Sequence, residues 1–254
     1  VFQAVSIKET SITGGRDGFP ETLWSSILSA AGRDDPQRRE RFQRLLILYW
    51  KPVYKFVRGY WKTTIEDAKD LTQEFFAHIL ESDLVGKYRP ELGRFRSFLK
   101  ASLRVFLAEV YRDRKRLKRG GGKTIIPLEV EGLETDTFLK DTEQMTPEEL
   151  YDREWAEGLM ADCIRELKQT LHSEGKEDYF RVYEAYDLCR DDRERPTYSE
   201  LARTINRDLH DVRNYLSHAR AKLKDLLVGR IQEYVTTRED LVDELNDLMG
   251  LFRR

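Results

Sequence analysis

The chain has 254 residues, 35% charged and 40% hydrophobic, with 44 Lys and Arg against 46 Asp and Glu and a formal charge of -2. That balance suits small helical modules with much exposed surface; two cysteines, Cys163 and Cys189, are too few for a disulfide framework and stand in no metal-ligand spacing with the four histidines. No apolar run approaches the ~20 residues of a bilayer span and the N-terminus lacks a signal-peptide pattern, so the sequence predicts a reduced, cytoplasmic protein without metal, cofactor or membrane segment.

Residues 1–33 read as a Ser, Thr and Gly-rich leader followed by a short helix that Thr22 caps, with Leu23, Trp24, Ile27 and Leu28 on its apolar side. Asp35 and Pro36 signal the next helix start, and Phe42, Leu45, Leu46 and Tyr49 give its stripe. Pro52 predicts a kink or a fresh start before Val53, Phe56, Val57 and Tyr60 resume the pattern. A helix over 64–81 follows, with Ala68, Leu71, Phe75 and Ile79 on one face and Asp67, Asp70 and Glu74 on its neighbour.

After a loop holding Tyr88, Pro90 and Gly93, a basic helix is predicted from about 94 to 119. Phe95, Leu99, Ser102, Phe106 and Val110 form its expected buried face, while Arg96, Lys100 and Arg104 recur every fourth residue on another side. Between Arg94 and Lys123 there are eleven Lys and Arg against two acids, Glu109 and Asp113, which is the charge footprint of a nucleic-acid-binding helix. The stretch from Glu129 to Glu154 reverses the sign, with ten acids against Lys140 and Arg153. Overall charge therefore conceals a strongly polarised molecule. Gly120, Gly121 and Gly122 end the basic helix, and 120–146 reads as an extended acidic linker.

Thr146, Pro147 and Glu149 make the next helix start, with a cap, a proline at the first position and a capping box. Leu159, Cys163, Leu167 and Leu171 continue one face of that helix, and no segment shows strand alternation. Between Tyr198 and Lys224, Leu201, Ala202, Ile205, Val212, Tyr215 and Leu216 are spaced for two short helices crossing at a tight turn. Asn206 sits where the turn needs a left-handed backbone, and Asp208 is placed to cap the second helix. That helix would project Arg213, Asn214, Ser217 and His218, then Arg220, groups able to read base edges or hold phosphates in a major groove. The same hairpin also occurs in helical cores that touch no DNA.

These segments resemble the sigma factors of bacterial RNA polymerase, of the extracytoplasmic-function type within the sigma-70 class. The resemblance rests on Asp67-Ala68-Lys69-Asp70-Leu71-Thr72-Gln73-Glu74-Phe75-Phe76, on Gly93-Arg94-Phe95-Arg96-Ser97-Phe98-Leu99, and on Glu200-Leu201-Ala202 with Asp211-Val212-Arg213-Asn214-Tyr215-Leu216-Ser217-His218-Ala219-Arg220. It implies an all-α protein of two small helical domains, a sigma domain 2-like bundle over 34–119 and a sigma domain 4-like helix-turn-helix over 147–228, joined by the acidic linker; the amphipathic extension over 229–254, like the front piece around Trp24, exceeds the minimal two-domain factor. By the same resemblance, Asp67, Asp70, Gln73 and Glu74 would bind core RNA polymerase. Tyr88, Arg89, Arg94, Phe95, Arg96, Lys100 and Arg104 would hold the start-proximal promoter element, where aromatics stack on an extruded base and cations hold the separated strand; Phe95 and Phe98 also fit a core. Arg213, Asn214, Ser217, His218 and Arg220 would bind the upstream promoter element as duplex.

The implied function is an alternative sigma factor with no catalytic activity of its own; the rival is a helix-turn-helix regulator that binds promoters without replacing polymerase specificity. Expected partners are core polymerase, promoter DNA, and an anti-sigma factor or a Ser/Thr kinase acting on Thr63, Thr64 or Thr72. The linker either threads a channel of the polymerase or simply stays solvated. The extension, with Ile231, Val235, Leu241, Leu245 and Leu248 against a row of acids, either packs on the C-terminal domain or covers a basic surface.

Overall fold

The computed structural model describes residues 36–61, 63–82, 84, 87–89, 92–116, 145–189, 191–235 and 237–252, the side chains of 36–46 and 113–116 excepted. The leader and its short helix, the glycine triplet and nearly all of the linker lie outside the described residues. Eight helices and no strand are found among the described residues: α1 (Pro36–Trp61), α2 (Ile65–Glu81), α3 (Phe95–Arg116), α4 (Pro147–Ser173), α5 (Glu177–Asp187), α6 (Tyr198–Thr204), α7 (Leu209–Gln232) and α8 (Arg238–Phe252). No helix among them is long and apolar enough to cross a membrane. The described residues are all-α. It divides into two compact units at the peptide between Ala156 and Glu157, inside α4.

In the N-terminal unit, α1 runs unbroken through Pro52, where the sequence predicts a kink or a new start. Tyr49, Trp50, Val53, Tyr54, Phe56 and Val57 are all buried around the proline, so core packing on both sides offsets the hydrogen bond that Pro52 cannot make. Thr64 caps α2 by accepting from the Asp67 N–H at 3.1 Å, and Ala68, Leu71, Thr72, Phe75, Phe76 and Ile79 form its buried face. In α3 the buried set is Phe95, Leu99, Leu103, Phe106 and Leu107. Leu103 and Leu107 take the places expected of Ser102 and Val110, which are half-buried. Gly93, with φ +130°, makes the turn into α3 in a conformation that L side chains rarely adopt.

The first turns of α4 belong to this unit. Thr146 accepts from the Glu149 N–H at 3.2 Å while Glu149 accepts from the Thr146 N–H at 2.8 Å, a reciprocal cap that fixes where the helix begins. Leu150, Tyr151 and Trp155 are buried, with the Tyr151 ring stacked 6.4 Å from Tyr49 and edge-on to Phe56 at 6.3 Å. Gly59 makes the close approach: a Cβ there would lie 2.7 Å from Leu150 Cδ1. The sequence reading starts the C-terminal domain at Pro147, whereas 147–156 group with the N-terminal unit through this burial.

In the C-terminal unit, the rest of α4 buries Leu159, Met160, Cys163, Leu167 and Leu171, and α5, α6 and α8 each pack on α7. Thr197 and Glu200 form a capping box on α6, and the turn after it passes through Asn206 at φ 52°, the left-handed geometry its sequence position predicts. Asp208 caps α7, accepting from the Asp211 N–H at 2.8 Å. Leu201, Ala202, Val212 and Leu216 close the crossing. Thr237 caps α8 through the Asp240 N–H at 3.0 Å, and Leu241, Leu245 and Leu248 of α8 are buried. Of the two fates expected for the C-terminal extension, its apolar face is packed on α7.

Candidate partner and nucleic-acid surfaces

The acid face of α2 follows from three-residue and four-residue spacing, which sets Asp67, Asp70 and Glu74 along one side. Asp67 is half-buried and its carboxylate accepts from the Thr63 hydroxyl at 3.2 Å and the Thr64 hydroxyl at 3.0 Å, so it finishes the helix start. Asp70 is exposed, and Gln73 and Glu74 are half-buried. Thr72 is different: it is buried and its hydroxyl donates to the Ala68 carbonyl at 2.7 Å, which closes it to a kinase. Thr63 and Thr64 lie nearer the surface.

The loop before α3 is held by Tyr88, whose hydroxyl donates to the Gly93 carbonyl at 3.0 Å. Its ring sits edge-on to Phe95 at 5.3 Å and 5.4 Å from Phe98, and both Tyr88 and Phe95 are buried. Stacking on an extruded base, expected of these two, needs a ring face they do not expose. They are core residues, and Phe98 is half-buried beside them. Arg89 is exposed, with Nη1 donating to the Tyr88 carbonyl at 3.0 Å, and Arg94 is half-buried.

The basic stripe of α3 faces acids that the sequence reading did not pair with it. Arg96 Nη1 donates to Asp152 Oδ1 at 2.6 Å, and Lys100 Nζ meets both oxygens of the same carboxylate at 2.8 and 2.7 Å. Arg104 Nε donates to Glu148 Oε1 at 2.7 Å. The guanidinium of Arg96 also lies over the Trp155 ring, 4.2 Å from its centroid, and the Lys100 ammonium lies over Tyr151 at 5.4 Å. Side-chain exposure rises along the stripe, from 4% at Arg96 through 21% at Lys100 to 57% at Arg104. The sequence signal for this pairing was the matching four-residue spacing of Glu148 and Asp152, hidden in what read as general acidity.

On α7, Arg213, Asn214 and Ser217 are exposed, with His210 on the same side of the helix. A guanidinium, a carboxamide and a hydroxyl near the start of a capped helix have the chemistry to read base edges. His218 and Arg220 do not share that freedom. His218 is half-buried edge-on to Tyr179 at 5.1 Å, with Lys176 Nζ 3.4 Å from Nε2; burial, then the positive charges of Lys176 and Lys222, lower its pKa below 6.5. Arg220 makes two 2.8 Å bonds to the buried Asp187 carboxylate, which raise its pKa. That is a fork-to-fork clasp between α7 and the end of α5. Glu174 receives Lys222 and Lys176, and their hydrogen bonds hold it down at about 2.

The thiol of Cys163, buried inside α4, is pushed up to about 12 by desolvation, so it is a packing group rather than a nucleophile. Protein-family models, curated proteins and solved structures were each compared with the chain, and none matches.

Proposed function

We propose that the chain is an alternative sigma factor of the extracytoplasmic-function type, acting in the cytoplasm, which binds core RNA polymerase and directs promoter recognition, strand opening and transcription initiation. The observation that carries this reading is the hairpin of α6 and α7: a left-handed turn at Asn206, a cap at Asp208, and Arg213, Asn214 and Ser217 exposed together on the second helix. The capped acid edge of α2, with Asp70 exposed, supports a polymerase-binding role for Asp70, Gln73 and Glu74. Run-off transcription with core polymerase and genomic fragments tests it: RNA starts at defined sites with the wild-type chain and is lost with Asp70→Lys, together with co-purification. Absence of polymerase capture by the wild type refutes the reading.

One observation favours a second reading, a duplex-binding regulator that does not replace polymerase specificity. Arg213 is exposed beside Asn214 and Ser217 on α7, whereas Arg96, Lys100 and Arg104 are engaged with carboxylates. Such a regulator binds duplex tightly alone; a sigma factor gains most of that affinity when polymerase holds both its domains.

A further inference from the structure

We propose that the first turns of α4, residues 147–156, form a releasable clasp that competes with single-stranded nucleic acid for the Arg96, Lys100 and Arg104 stripe. The inference rests on the reading above only in taking that stripe as a strand-binding surface.

Three observations build it. First, the charges match as an antiparallel ladder: numbers ascend from 96 to 104 along α3 while the acids they meet descend from Asp152 to Glu148. Carboxylates thus stand where phosphates of a strand would stand, and one site cannot hold both. Second, the docking is prepared. The reciprocal cap of Thr146 and Glu149 starts the helix at the right residue, Gly59 leaves room for Leu150, and Tyr49 and Phe56 receive the Tyr151 ring. Burial of Leu150, Tyr151 and Trp155 keeps the closed form dominant in the isolated chain. Third, the ladder is graded. Arg96 is buried and stacked on Trp155, while Arg104 and Glu148 are its most accessible pair. A strand would meet Arg104 first, displace Glu148, then take Lys100 from Asp152, peeling the clasp from its outer end.

Apparent affinity for a strand is then the intrinsic affinity scaled by the open fraction. The test uses the full chain and a fluorescein-labelled 20-nucleotide single-stranded DNA, read by anisotropy across a salt series. The isosteric double variant Glu148→Gln, Asp152→Asn is expected to bind about tenfold more tightly than wild type. Its logarithmic salt slope should steepen by about 2, since each of three recovered phosphate contacts on a single strand contributes roughly 0.7. Adding Lys100→Ala and Arg104→Ala should cancel the gain. The charge-matched variant Glu239→Gln, Asp243→Asn, which removes two exposed acids of α8, should gain less than twofold.

Unchanged affinity in the first variant, or an equal gain in the charge-matched one, overturns the proposal. A second measurement stands if the first variant folds poorly: in the wild-type chain, the strand should speed hydrogen exchange at the amides of 150–156, and unchanged or slower exchange there also overturns it. Neither arm contains polymerase. Failure of polymerase capture would sink the sigma-factor reading and leave this result untouched, and the reverse holds.

Discussion

Replacing Arg220 with Met separates a fold-holding role from a DNA-contacting one. The substitution keeps the aliphatic stem but leaves the Asp187 carboxylate without the two 2.8 Å bonds it accepts from Arg220. Breaking a fully buried pair costs about 3–5 kcal/mol. Here the arginine side chain is 25% exposed and the aspartate 10%, so water screens part of the loss and about 2–3 kcal/mol is expected. A unit of about 100 residues loses about 4–8 °C in Tm per kcal/mol, giving a fall of roughly 8–24 °C. Thermal melts followed by circular dichroism measure it. Duplex binding, to a probe selected from random sequence by the wild-type chain, should change less than threefold at a temperature where the variant stays folded. Arg213→Ala should do the opposite: stability within about 0.5 kcal/mol and duplex binding weaker by about 1–3 kcal/mol. If Arg220→Met melts like wild type and weakens duplex binding as much as Arg213→Ala, the fork to Asp187 is incidental and Arg220 is a DNA contact.

Trp155→Ala should destabilise the N-terminal unit by about 3–5 kcal/mol, as expected for an aromatic that is 1% exposed, measured by urea unfolding. Because His218 has a folded pKa below the unfolded 6.5, the unfolded chain binds the proton more readily, so stability is full above that value and falls as pH drops through it. Glu174, held at about 2 against an ordinary 4.5, gives a second loss at lower pH, as the solution passes from about 4.5 towards 2. His218→Gln should remove the first step in a pH series of melts and leave the second. Truncation after Gly229 deletes the buried Ile231, Leu241, Leu245 and Leu248, and should lower the Tm of the C-terminal unit without tightening duplex binding. Tighter binding at unchanged Tm would mean that the extension masks a DNA surface.

Local signals were legible and distant ones were not. The caps at Thr146 and Asp208, the left-handed Asn206 and the stripe of α2 all depend on residues within a turn of one another, and their positions could be read from spacing alone. The buried face of α3 takes Leu103 and Leu107 in place of the expected Ser102 and Val110, because apolar and small residues on several sides of the helix leave the stripe's phase ambiguous. The aromatic Tyr88 read as a stacking group, but whether a ring is core or surface depends on what the loop folds against. The partners of Arg96, Lys100 and Arg104 lie 56, 52 and 44 residues away, beyond any helical periodicity. A cation ladder looks the same in sequence whether water or a second helix faces it.

Among the described residues, four helices begin on a threonine whose hydroxyl takes the N–H three residues on, and in each case that third residue is an acid: Thr64 with Asp67, Thr146 with Glu149, Thr197 with Glu200 and Thr237 with Asp240. Each helix therefore carries its own starting punctuation and does not inherit its phase from the segment ahead. Insertions or deletions upstream of these threonines should alter connector length while leaving every downstream side chain on its original face. Such a chain can diversify the spacing between its parts without rewriting the parts themselves.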